Sequence, residues 1–145
     1  MTDVRIGLRA RLIAAGVAAA CAALLLTASL LKADDAGHGT HEQLGLPACG
    51  WAVSFNSPCM TCGMTTAFTH AADGKLWQSF VTQPMGMLLS VGTAATFWLG
   101  LFVAVTGSRL GEHLVRLLTT RMLIVGAALG GGAWVYKVIV WNGGV

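Results

Sequence analysis

Three long stretches almost free of charge constrain this chain more than anything else in it. Residues 12–31 and 85–106 contain no Asp, Glu, Lys or Arg, and residues 122–141 contain one, Lys137. At about 1.5 Å per residue, about 20 apolar residues cross a hydrocarbon core about 30 Å thick. The rest of the composition agrees. Hydrophobic residues make up 55% and charged residues 10%, with a mean hydropathy of +0.70. A soluble domain carries about 25% charged residues, so this chain has too few charges to solvate a globular surface. The expected fold class is an all-α integral membrane protein. Residues 1–145 form one membrane domain with three transmembrane helices, and the loop over 32–84 contains short amphipathic helices.

The first run also has the look of a signal peptide, because Arg5, Arg9 and Arg11 precede it. It is longer than a usual signal core and lacks a clean small-x-small cleavage site, so a retained anchor is expected. Basic residues then set orientation. Arg5, Arg9 and Arg11 precede the first span, and Arg109, Arg116 and Arg121 lie between the second and third. The 32–84 loop has only Lys32 and Lys75 against Asp34, Asp35, Glu42 and Asp73. Three spans put the two basic segments on one side. The expectation is a multi-pass protein of the bacterial cytoplasmic (inner) membrane, with the N-terminus cytoplasmic and the cysteine loop and C-terminus outward.

Within the loop, residues 33–50 show no hydrophobic period. Residues 51–55, Trp-Ala-Val-Ser-Phe, suit a short extended or interfacial piece. Met64, Ala67, Phe68 and Ala71 recur at helical spacing, and Asp73-Gly74 supplies a stop. Leu76, Trp77, Phe80 and Val81 form a second amphipathic stretch suited to a membrane surface. Pro84 fits the first turn of the second span. Small residues recur along the spans: Gly92, Thr96 and Gly100 on one face, Gly126 and Gly130 on another. They let helices approach closely, within the chain or against another membrane subunit.

Chemistry concentrates in the loop. Cys21 lies in the first span and reads as a small apolar residue. Cys49, Cys59 and Cys62 are all in the loop, and three thiols allow at most one internal disulfide, with the pairing open. In an oxidising compartment such a bridge persists. A Cys-x-x-Cys pair at a helix start also lowers a thiol pKa, which favours redox chemistry. Cys49, Cys59, Cys62, Met60 and Met64 offer soft sulfur suited to copper(I), and His38 and His41 add an H-x-x-H pair. His70 is eight residues beyond Cys62, too far along a helix to share its ion. Residue 63 is Gly, which excludes covalent haem at Cys-x-x-Cys-His, and all four histidines lie outside the spans. No catalytic signature such as G-x-S-x-G or H-E-x-x-H occurs, no phosphate-cradling loop, and no basic tract for nucleic acid.

The run Pro58-Cys59-Met60-Thr61-Cys62-Gly63-Met64-Thr65-Thr66-Ala67 resembles the Pro-Cys-Pro-x-Cys-Gly-Met-Thr-Arg-Ala signature of small bacterial membrane proteins grouped as domain of unknown function 2752. Cys49 matches that family's upstream cysteine, and Asp73-Gly74 and Gln83-Pro84 approximate its later turn and the start of its next span. Met60 stands in place of a proline and Thr66 in place of an arginine. The resemblance implies helical spans with a cysteine-bearing reentrant or interfacial segment, and no established activity.

Two functional expectations follow. The first is a non-catalytic accessory or assembly subunit of a larger membrane complex, with a disulfide-stapled outward loop, no cofactor, and lipid and other membrane subunits or itself as partners. The alternative is a periplasm-facing thiol–disulfide or copper-handling protein that uses Cys59 and Cys62.

Overall fold

The computed structural model describes residues 6–109 and 120–143. The described residues are helical, without strands, and three helices are long and apolar enough to cross a membrane. These are α1 (Leu8–Leu30), α5 (Pro84–Thr106) and α6 (Thr120–Gly143). Between α1 and α5 lie a 3-10 turn (Thr40–Leu44), α2 (Gly50–Phe55), α3 (Met64–Ala72) and α4 (Leu76–Thr82). Arg5 and Arg116, both counted for orientation, lie outside the described residues.

The helix boundaries follow local chemistry. Pro84 occupies the first turn of α5, where a missing N–H removes no helical bond. Gly107 ends α5 in the left-handed conformation (φ 69°) that glycine adopts without steric cost. The helix α1 begins before the uncharged run does and takes in Arg9 and Arg11. Arg11 has a use there. Its guanidinium donates to the Ala104 and Val105 carbonyls at 2.9 and 3.0 Å, in the last turn of α5. Those carbonyls have no partner in their own helix and carry the negative end of its dipole. The Ile6 N–H bonds to the Gly107 carbonyl beside them.

The helices α1 and α5 therefore pair antiparallel, and they close on Gly100. A Cβ there would lie 3.0 Å from the Ala14 carbonyl and 3.2 Å from the Ala18 Cβ. Gly92, Gly126 and Gly130 meet nothing within 4 Å, and the Thr96 hydroxyl is satisfied by the Gly92 carbonyl of its own helix. Of the small residues singled out along the spans, Gly100 is thus the one placed at a close interhelical approach.

The loop folds back over one end of this pair. The apolar face predicted for residues 64–71 is the buried side of α3, where Ala67 is fully enclosed. Ala67 packs on the start of α5 so tightly that a Cβ on Gly86 would approach its own Cβ to 2.7 Å. The Ser79 hydroxyl of α4 donates to the Ala67 carbonyl at 2.7 Å. Thr66, which stands where the resembled signature has arginine, is buried and shares a 2.8 Å hydrogen bond with Thr40. Thr40 in turn accepts the Asp34 N–H at 3.0 Å, which ties the 33–44 segment onto α3. Residues 50–55 are a helical turn and a half rather than an extended piece. A short helix makes a few of its backbone bonds locally, whereas an extended segment would need a partner strand, and the described residues contain none.

Candidate metal centre

Cys59 and Cys62 were expected at the head of a helix. In the structure α3 starts later, at Met64, with Gly63 as its N-cap, and the two cysteines occupy the turn before it. The reason lies at Gly63, which adopts φ 83°, a conformation that breaks the helix and that glycine tolerates best. Its Cβ position would lie 2.7 Å from the Gly37 carbonyl, so a side chain has no room there either.

The turn aims its sulfurs inward. The Sγ atoms of Cys59 and Cys62 are 3.2 Å apart, and Cys49, from just before α2, adds its Sγ at 3.5 Å from Cys59 and 3.7 Å from Cys62. The three cysteines are free thiols, so the expected disulfide staple is not present. The physical contrast is one of geometry. A disulfide needs one pair at about 2.05 Å and excludes the third sulfur. Here all three sulfurs form a near-equilateral triangle. Metal–sulfur bonds of about 2.3 Å place the ligand sulfurs about 3.8–4.0 Å apart in tetrahedral or trigonal coordination. The observed triangle is close to that size.

The environment makes the sulfurs unequal. Cys62 is 6% exposed. Burial, followed by its interaction with Cys59, pushes its thiol up to about 12. At Cys59 burial also acts upward, but hydrogen bonds from Thr61, Cys62 and Cys49 and a backbone N–H outweigh it, and the thiol falls to about 7. Cys59 is therefore the sulfur that ionises first. Its own N–H donates to the Cys62 sulfur at 3.2 Å, which fixes the turn.

A cleft of about 590 Å³ opens over the triangle, and His38, His41, Glu42 and Met64 line it together with the cysteines. The H-x-x-H pair thus lies beside the sulfurs rather than apart from them. Met60 was named with the cysteines as a ligand. Its side chain is 59% exposed and does not line the cleft, because the turn that converges Cys59 and Cys62 sends the residue between them outward. Met60 contributes its carbonyl, which accepts from Gln83 at 3.2 Å. His70 lines a separate cleft beside Asp35 and Asp73, in keeping with its distance along the chain.

The C-terminal part of α6 holds this loop, which sequence reasoning missed. The Trp134 indole donates to the Pro58 carbonyl at 3.1 Å, and the Trp141 indole donates to the Asn56 carbonyl at 3.1 Å. Between them the Tyr136 hydroxyl donates to Val81 at 3.0 Å. Lys137 donates to the carbonyls of Gly37 and Thr82 at 3.2 and 3.0 Å. Trp134 and Trp141 are two helical turns apart, about 10 Å along the axis, so the cysteine turn lies alongside a candidate membrane span rather than above it. Lys137 is 6% exposed and points into the loop, where the Gly37 and Thr82 carbonyls hold its ammonium. The available sequence signal was the seven-residue spacing of tryptophans about the one charge in the span.

The family described as a protein of unknown function (DUF2752) matches residues 49–97. The match begins at Cys49 and runs through the cysteine turn and α2–α4 into the middle of α5. Trp134, Lys137 and Trp141 lie outside it. No curated protein and no solved structure matches the chain.

Proposed function

We propose, for a chain whose residues 49–97 match the DUF2752 family model, that it is a multi-pass membrane protein that binds copper(I) on Cys49, Cys59 and Cys62. The single observation that carries this reading is the sulfur triangle, with sides of 3.2, 3.5 and 3.7 Å. Three thiolates are soft ligands and suit a soft monovalent ion in trigonal coordination. Burial of Cys62 limits access of water and oxidants to that sulfur, and the cleft over the triangle leaves a route for the ion. The sequence carries no G-x-S-x-G, H-E-x-x-H or phosphate-cradle signature, and the role proposed is binding or handing on of the ion rather than catalysis. We place the site on the outward face of a bacterial cytoplasmic membrane, on the strength of the charge asymmetry of the sequence.

The test is anaerobic copper(I) titration of the full chain in detergent against a chromophoric copper(I) chelator, with X-ray absorption at the copper edge. The expected result is one ion per chain in an all-sulfur shell, lost in the Cys49→Ser, Cys59→Ser and Cys62→Ser variants. Binding that survives all three substitutions would overturn the assignment. Orientation is tested separately, by labelling the loop cysteines of intact cells with a membrane-impermeant maleimide.

A second reading, an assembly role with a partner subunit or a second copy, is favoured by one observation. The half of α6 that bears Gly126 and Gly130 leaves both glycines open, with nothing within 4 Å. Cross-linking through a cysteine placed at residue 126, in a background lacking Cys21, reads this directly.

A further inference from the structure

We infer that Lys137 is the built-in counter-charge of the cysteine site, a positioning residue that compensates the anionic metal–thiolate complex. This rests on the copper reading above. Its own evidence is the position of the ammonium. Lys137 is the only charged residue in residues 122–141 and is 6% exposed. Its Nζ lies 3.1 Å from where a Cβ on Gly63 would stand, next in sequence to Cys62. Among the described residues no carboxylate pairs with it; the salt bridge found there is Lys75–Asp73, on the exposed surface.

A lysine ammonium has three donors. Two are taken by the Gly37 and Thr82 carbonyls. Neutral carbonyls orient the ammonium, but they do not cancel its charge, and a buried charge without an opposite one is expensive. The opposite charge is supplied when the site fills. Each cysteine enters the complex as a thiolate and gives its proton to solvent. Three thiolates and one monovalent ion leave a net charge of two minus, which Lys137 halves. Lysine and site therefore each remove a cost the other would carry alone. The same ammonium pins residues 37 and 82, so the charge is delivered by an element outside the family-matched segment to a loop inside it.

The experiment is the copper(I) competition assay on the full-length protein, run in parallel with thermal melts, for the wild-type chain and for Lys137→Gln, Lys137→Met and Lys137→Arg. Gln keeps amide donors for the two carbonyls and loses the charge; Met loses both; Arg keeps the charge. The expected result is a weakening of about 10- to 100-fold for Gln and Met, the range for outer-sphere partners of metal ligands, with Arg restoring most of the affinity. Wild-type affinity in Lys137→Gln would overturn the inference and leave Lys137 a structural clamp. Equal weakening in Gln and Arg would overturn it too, since charge would then be irrelevant. If the wild-type chain binds no copper(I), the copper reading fails and this inference with it. If wild type binds and the variants bind equally, only this inference fails.

Discussion

Cys59 and Cys62 should differ sharply in reactivity even though their sulfurs are 3.2 Å apart. The perturbation is limited alkylation of the reduced, metal-free protein with iodoacetamide. At pH 7 a thiol held at about 7 is half ionised. A thiol pushed up to about 12 is ionised in about one molecule in 10⁵. Thiolate fraction alone would favour Cys59 by about 10⁴ to 10⁵. The more basic thiolate is intrinsically the better nucleophile, however, and a Brønsted slope of about 0.4–0.5 over five units returns about 10² to 10^2.5. The net preference for Cys59 is about two to three orders of magnitude, before the burial of Cys62 adds its steric share. Peptide mapping by mass spectrometry of singly modified chains measures the ratio from initial rates. The Cys59 rate should climb tenfold per pH unit below neutrality and level off above about pH 8. Comparable early labelling of Cys62, or a Cys59 rate still climbing tenfold per unit at pH 9, would refute the hydrogen-bond account of the Cys59 thiol.

Other outcomes follow from the packing. Gly86→Val should destabilise the fold by about 1–3 kcal/mol, as overpacking does, because the new Cβ would meet Ala67 at 2.7 Å; a melt in detergent that matches wild type would contradict this contact. Gly63→Ala should cost about 1–3 kcal/mol through its positive φ and its clash with Gly37, and chelator competition should show copper binding weakened with it. In Trp134→Phe the Pro58 carbonyl loses its donor at a cost of about 1–3 kcal/mol, and limited proteolysis should cut the 56–63 turn faster; unchanged protection would mean the indole bond does not hold the turn. Arg11→Met removes two guanidinium bonds to the end of α5, so hydrogen exchange at residues 104–107 should accelerate.

Much of the fold was legible because lipid is a demanding solvent. A span must satisfy its backbone internally, so length and apolarity alone mark a helix, and the helices at 8–30, 84–106 and 120–143 lie where the uncharged runs predicted them. The amphipathic stretch at 64–72 was legible for a related reason, since one side of it has to be buried and the period shows in the spacing. The three cysteines were legible as chemistry by residue type.

Their arrangement was not, because it depends on the backbone path of the turn, which residue type alone does not encode. Residue counting made three thiols look like a bridge with one left over. It took the left-handed backbone at Gly63, the Cys59 N–H on the Cys62 sulfur, and the return of Cys49 across α2 to bring three sulfurs to one point. Nor could local sequence say that Met60 would face outward, since that depends on the turn formed around it. Lys137 is the clearest case. A lone lysine near the end of a span can reach water or turn inward, and the choice depends on whether unpaired carbonyls are within reach. The sequence by itself determined that three helices would cross and that soft sulfur would gather in the loop between two of them. The tertiary structure alone decided that the sulfurs meet, because the turn geometry within residues 49–63 sets where each one points, and that the third helix brings them a positive charge, because that contact joins residues 55 and 100 positions apart.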